Sequence, residues 1–234
     1  MNKYLNSALV LALASTFMIG CSDDSDDDVT PPVAKKYNAV FVDSVVSGIT
    51  FKCGGLTGLT DDDGVFLACE AGVPVSFNLG TVKLGTVTNT AVFGDGEFGP
   101  VLTPYTIAGT DDANVSSKIA IMLQSMDYDG DLTNGIQITS EVTDLVSAHY
   151  PDGLDLTSSE VTVSEVEQGV REIAIKSLNP LPAAARASAR AGDKGDLDLQ
   201  PVTKDVADAN LVTGVAEYGD KGPANGTTPT GAAS

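Results

Sequence analysis

Apolar and polar positions change their period along this chain. From Tyr37 the apolar residues recur at every second position: Ile49, Phe51 and Cys53 around Thr50 and Lys52, then Val65, Leu67 and Cys69, then Val73, Val75, Phe77 and Leu79. A period of two belongs to strands that bury one face. Residues 109–126 shift to helical spacing, with Val115, Ile119, Met122, Leu123 and Met126 on one face and Asp111 or Asp112 placed to cap. A second helix is predicted over Ser140–Ala148, with Val142, Leu145 and Val146 inward. A third begins at Ser164, where Ser164 and Glu167 have capping-box spacing ahead of Val166, Val170 and Ile173. After Leu178 the periodicity fades. Pro180 and Pro182 break any continuing helix, and residues 181–234 read as a low-complexity, mostly disordered tail with a weak strand near Leu211–Val215. The expectation is an α+β chain: a small antiparallel β-sandwich over 37–108, then a short helical segment with an acidic loop over 109–180.

The N-terminus has a different character. Lys3 opens a polar stretch, and an apolar run from Ala8 to Ile19 follows, too short to span a bilayer comfortably but suited to a signal-peptide core. Met18, Ile19 and Gly20 precede Cys21, and SDDSDDD follows it. The MIGC stretch resembles the lipobox of bacterial lipoproteins, with Met18 where that family usually has leucine. The resemblance implies a signal peptide over 1–20 and fatty acylation of Cys21, palmitate-like chains that together anchor stably where one chain alone is marginal. It also implies the outer membrane, with Ser22 and the aspartates compatible with either the periplasmic face or the cell surface. An ordinary cleaved signal is the alternative. Residues 21–36, acidic and then carrying Pro31, Pro32, Lys35 and Lys36, read as a tether.

Charge narrows the partners. Thirteen basic against 32 acidic residues give a net charge of −19, which argues against nucleic acid. It suits calcium, cationic ligands or plain solubility. The chain has no tryptophan and only 6% aromatic residues, which speaks against a carbohydrate-stacking platform. With Cys21 assigned to lipid, Cys53 and Cys69 remain as an even pair, as expected of an oxidising compartment. The loop from Gly54 to Gly64 can return the chain so that the two cysteine strands lie antiparallel, making a cross-strand disulfide feasible. Two thiols without a nearby histidine are too few for structural zinc.

The stretch VSGITFKCGGLTGLTDDDGVFLACEAGVPVSFNLGTVKLG, Val46–Gly85, carries Gly48, Phe51, Cys53, Gly54, Gly58, Thr60, Asp61, Gly64, Phe66, Gly72, Phe77 and Gly85 at characteristic spacing. It resembles a module of bacterial surface lipoproteins and adhesins, and its T-D-x-x-G-x-F centre is similar to prealbumin-like carboxypeptidase-regulatory domains. The resemblance implies a β-sandwich and a surface setting, with Ile119–Thr139 similar to the helix and acidic loop that accompany the module. A more distant similarity is to the N-terminal region of mucin-directed metalloprotease lipoproteins, whose HExxH signature this chain lacks.

The best candidate site is DYDGDLTNG. Asp127, Asp129, Asp131 and Asn134 alternate as oxygen donors do around calcium, a spacing similar to thrombospondin type 3 repeats and, less closely, EF-hands. Leu132 stands where a turn glycine belongs, and Ile138 where a bidentate glutamate belongs. The other reading is an acidic turn facing water. Asp61–Asp63 fit a turn. GDGEFG, Gly94–Gly99, lacks the strand–helix context of a dinucleotide site, since Pro100 and Pro104 follow. His149, the only histidine, reads as a cation at a helix end, without a GxSxG nucleophile to serve. The expected function is therefore non-enzymatic: a lipid-anchored envelope lipoprotein acting as a surface binding or adhesion accessory module, calcium-stabilised if the acidic loop holds an ion. A structural spacer and an accessory subunit of a secreted hydrolase are the alternatives.

Overall fold

The period-two runs become strands, with one correction: along Val65–Glu70 a register shift opposite Tyr37–Ala39 buries Phe66 and Cys69, and Leu67, expected inward, is 53% exposed. The computed structural model describes residues 36–88, 90, 100–110, 112–177 and 197–221, all within one compact unit. Strands β1 (Lys36–Phe41), β5 (Val65–Glu70) and β8 (Val101–Leu102) form a sheet with β1 central, antiparallel to β5 and parallel to β8. A second sheet runs in the order β10 (Leu154–Asp155), β7 (Val82–Val87), β6 (Val75–Leu79), β3 (Thr50–Cys53), β4 (Leu56–Leu59). Its β3–β4, β3–β6 and β6–β7 pairs are antiparallel, and β10 joins β7 in parallel. Strands β2 (Val46–Ser47) and β9 (Ile136–Gln137) form a short parallel pair. The fold is mixed α+β with mostly antiparallel strands. The purely antiparallel sandwich expected over 37–108 is corrected: within that span β8 pairs with β1 in parallel, and strands from 136–137 and 154–155, beyond it, also add in parallel.

The cysteine hairpin is also rearranged. Gly54 and Gly55 make a two-residue turn, with Gly54 at φ 59°, and the chain folds straight back as β4, Cys53 opposite Leu56. Strand β5 then leaves for the other sheet. Cys53 and Cys69 do form a disulfide, Cα atoms 5.8 Å apart, but it joins the two sheets rather than two partners of one hairpin. Both cysteines are buried. The same interface holds an aromatic cluster: Phe41 and Phe66 from the first sheet meet Phe77 of the second at 5.2 Å each, and Phe51 meets Phe66 at 5.2 Å. Offset and edge-on aromatic pairs at this spacing add to the apolar burial.

The helical segment is not a separate layer. α1 (Pro104–Ala108) starts at a capping box formed by Thr103 and Thr106. α2 (Ala113–Ser125) is capped by Asp112, whose carboxylate accepts from Asn114 N–H, as expected. Its five predicted apolar positions are buried, and so are Ser116, Ser117, Lys118, Gln124 and Ser125 on the remaining faces. A helix buried all round sits in the middle of a fold. The boundary expected at residue 108 is thus crossed by one continuous core running from Phe77 to Ile119 to Ile173. α3 (Ser140–His149) forms where predicted, capped by Thr139, with Val142, Leu145 and Val146 buried. α4 (Val163–Ser177) starts earlier than expected. Its reciprocal cap is Thr162 with Glu165: Thr162 N–H and Oγ1–H donate to the Glu165 carboxylate, and Glu165 N–H donates to Thr162 Oγ1. The expected Ser164–Glu167 pairing is replaced by this one, and Glu167 instead accepts from Lys204 N–H.

The largest correction concerns the C-terminal third. Residues 197–203 are ordered against the core, and 204–221, read from sequence as part of a disordered tail with a strand at 211–215, form helix α5 (Lys204–Lys221). α5 packs on α2 with Ala207 and Leu211 buried. Its pattern escaped notice because small and polar residues make the contact. Gln124 Nε2 donates to Ala207 O and to Asp43 Oδ1, Asn210 Nδ2 donates to Gln124 Oε1, and Ser117 Oγ donates to Asp208 Oδ1. Gly214 lies against the backbone of Asp43 and Ser44, where a Cβ would meet Asp43 O at 2.6 Å. Opposite this seam Lys118, 2% exposed, donates to Ser158 O and Val161 O and holds the 156–162 loop on α2. Residues 178–196 and 222–234 of the expected tail lie outside the described residues.

Candidate functional site

The acidic loop follows directly from the end of α2. Asp127 is fully buried, and its Oδ1 accepts from Gln137 N–H. Asp129 Oδ1 accepts from Asp131 N–H, and its Oδ2 accepts from Asn134 Nδ2. Asp131 Oδ1 takes Thr133 N–H and Oγ1–H and so caps a single 3-10 turn, Leu132–Asn134. The loop leans on the 197–203 segment, where Asp198 N–H donates to Tyr128 O and Gln200 crowds Gly130. The four residues picked from sequence are therefore together in one loop, but their oxygens close the loop's own turns. Among the described residues no group of three or more His, Cys, Asp or Glu side chains converges on a common point. The donor set in this arrangement does not fit calcium, because Asn134 turns its amide nitrogen, not its oxygen, toward Asp129.

The group the loop perturbs most is the Asp127 carboxyl. Asp127 Oδ2 is buried with no donor in reach, and the neighbouring group is the Asp129 carboxylate. Burial first, and then the negative charge of Asp129, push the Asp127 carboxyl up to about 7. Desolvation works to raise Asp129, but the bonds from Asn134 and Asp131 N–H, followed by the Asp127 and Tyr128 side chains, hold it below the usual range.

Beside this loop lies a groove of about 720 Å³. Its floor is the β2–β9 pair. Gly48, at φ 81°, passes so close to Ile138 O that no Cβ fits, and this contact brings the two short strands together. One wall is the outer face of the second sheet, with Thr50 and Leu59, continued by Thr60 and Asp62. The other is the first turns of α3, with Thr139, Ser140, Thr143 and Asp144, and Tyr128 and Gln137 close the end toward the acidic loop. α3 is seated there by Gly80, which lies against Ser147 Oγ and Thr143 O. The lining is rich in hydroxyls, carries the carboxylates of Asp62 and Asp144, and contains no Lys or Arg.

The remaining candidates resolve simply. Asp61 Oδ1 accepts from Asp63 N–H and Val65 N–H, the turn role expected of it. His149 ends α3, but burial and Lys176 Nζ, 3.0 Å from its Nδ1, lower its pKa, so the neutral ring is favoured over the helix-end cation expected from sequence. Its other neighbours are Glu172 and the edge of Tyr150. Cys21 with the lipobox, Asp111 and GDGEFG lie outside the described residues.

No protein-family model, no curated protein and no solved structure matches the chain. The function must come from its own surface. No helix among the described residues is long and apolar enough to cross a membrane. The groove itself was missed from sequence, because its donors come from four separate stretches. The available signals were Gly48 within VSGIT and the run of Thr and Ser in IQITSEVTD, which looked only like a helix start.

Proposed function

We propose that the protein is a non-enzymatic envelope lipoprotein, anchored in the outer membrane through acylated Cys21, that presents a binding groove on an ordered α+β unit. The observation that carries the binding reading is the groove at the junction of β2, β3, β9 and the start of α3, polar, open and bordered by two carboxylates without a cation. The lipobox resemblance and the acidic tether support the anchor. The His149 surroundings support a non-catalytic reading, since the ring faces Lys176, Glu172 and Tyr150 and no Ser or Cys that it could activate as a base.

The anchor is tested by labelling cells with radioactive palmitate: the wild-type protein incorporates label, and Cys21→Ser does not. Binding is tested by placing a photo-crosslinking amino acid at Thr143 in the groove or at exposed Glu160 away from it, in the native envelope. A discrete cross-linked product from position 143 alone is expected. Equal products from both positions, or none from either, overturn the groove as the binding site.

A further inference from the structure

The groove opens beside an unfinished sheet. Among the described residues β4 is the last strand on its side, with β3 as its strand partner. Its pairing phase is set by Thr60 N–H donating to Ile49 O and by the register Phe51–Gly58 and Cys53–Leu56, so the main-chain groups of Thr57 and Leu59 point away from β3. Two leucines on this strand are exposed, Leu56 at 40% and Leu59 at 42%. They lie on opposite faces of the sheet, Leu56 beside Cys53 and Leu59 beside Thr50. A helix or globular patch docking on one face would cover one of them. A strand laid alongside β4 covers both and satisfies the outward main-chain groups.

Charge identifies the strand. The turn after β4 carries Asp61, Asp62 and Asp63, all exposed, and across the groove stands Asp144. An added strand alternates its side chains, so every second residue projects on the Leu59 face, where Asp62 and Asp144 border the groove. A second copy of this chain would set Asp61–Asp63 against its own acidic turn, and like charges facing across strands are unfavourable. We propose that the groove and the β4 edge together receive an extended, basic peptide segment of a partner protein, paired to β4 through its main chain, with alternate Lys or Arg side chains directed to Asp62 and Asp144.

This rests on the groove being the binding site, and the test separates the two. Random dodecamers displayed on phage are selected against the immobilised full chain, and enriched peptides are synthesised and titrated. Sequences alternating Lys or Arg with β-branched residues are expected. Asp62→Asn combined with Asp144→Asn should weaken them by about tenfold or more, with a matching loss of salt dependence. Methylating alternate main-chain nitrogens of the peptide should abolish binding in one of the two registers and spare the other, a change that leaves the protein untouched. Thr57→Pro on the protein should act like the damaging register. The absence of any enriched sequence, enrichment of acidic or neutral peptides, insensitivity to N-methylation, or peptide-independent dimers that Thr57→Pro dissociates would each overturn the proposal. If cross-linking at position 143 persists alongside any of these, the groove stands and only the peptide class falls.

Discussion

Phe77 and Asp43 sit in neighbouring parts of the same core and are held by opposite physics. Around Phe77 two sheets meet through ring contacts and a disulfide, with Phe41, Phe51, Phe66 and Phe77 all buried and their burial favourable without further conditions. Around Asp43, α5 meets α2 through a chain of hydrogen bonds, and Asp43 itself, 1% exposed, keeps Oδ2 unpaired. Burial raises its carboxyl well above the ordinary range, the Gln124 bond counteracts this, and Asp208 raises it further. Among the described residues the first region places no carboxylate among its rings, and the pKa of the Tyr37 phenol beside Phe66 is raised by burial. The second depends on a proton, because a buried carboxylate without a compensating charge is costly.

The comparison breaks hardest at the aromatic interface. Phe77→Ala should cost about 3–5 kcal/mol, enough to unfold much of the unit, read as a loss of the cooperative melt. A cost below ~1 kcal/mol would mean the sheets are not packed as described. Next comes the disulfide. Reduction, or Cys53→Ser with Cys69→Ser, removes a link of sequence separation 16 and should lower stability by about 3 kcal/mol, read from urea midpoints with and without reductant.

The polar seam should respond to pH instead. Since the folded-state pKa of Asp43 is raised, its contribution to stability is fully present below the unfolded value of 3.8 and is lost as pH rises toward the folded one. Asp208, Lys204 and Tyr105 are the charged and titratable groups around it, and Lys204 pairs with Asp208. Amide protection of 204–217, corrected for intrinsic exchange, should therefore fall from pH 5 to pH 9, and Asp43→Asn should flatten that slope while the aromatic interface stays protected throughout. The acidic loop gives the narrower version. Asp127 loses its contribution between 3.8 and about 7, at about 1.4 kcal/mol per unit, and Asp127→Asn should remove this dependence from the loop alone. Parallel loss across both regions would show that the seam and the interface unfold as one.

The smallest effect expected is that of calcium. With its carboxylates closing their own turns, the 127–135 loop should leave the melting temperature within about 1 °C in millimolar calcium or chelator. A rise of several degrees, abolished by Asp129→Asn, would show that the loop exchanges its internal bonds for the ion.

Alternation along 49–53 and 75–79, the helical stripes at 115–126 and 142–146, and the pairing of Cys53 with Cys69 were legible from the chain, because strand and helix periods are local, whereas the face of 65–69 was not, since a bulge opposite β1 buries Phe66 and exposes Leu67. The acidic loop was legible as a loop, and its residues do lie together. What stayed hidden is long-range. The Gly54–Gly55 turn sends β3 and β5 into different sheets, and only the packed fold shows that their disulfide staples those sheets together. Helix α5 has no strong apolar stripe, and it is held by Ala207, Asn210 and Asp208 through partners 83 to 91 residues away. Asp43 within AVFVDSVV and Gly48 within VSGIT were visible letters without a visible purpose. Periodicity records which face of an element is buried. It cannot record which polar atom meets which across the fold, and the seam, the buried Asp127 carboxyl and the groove all depend on those meetings.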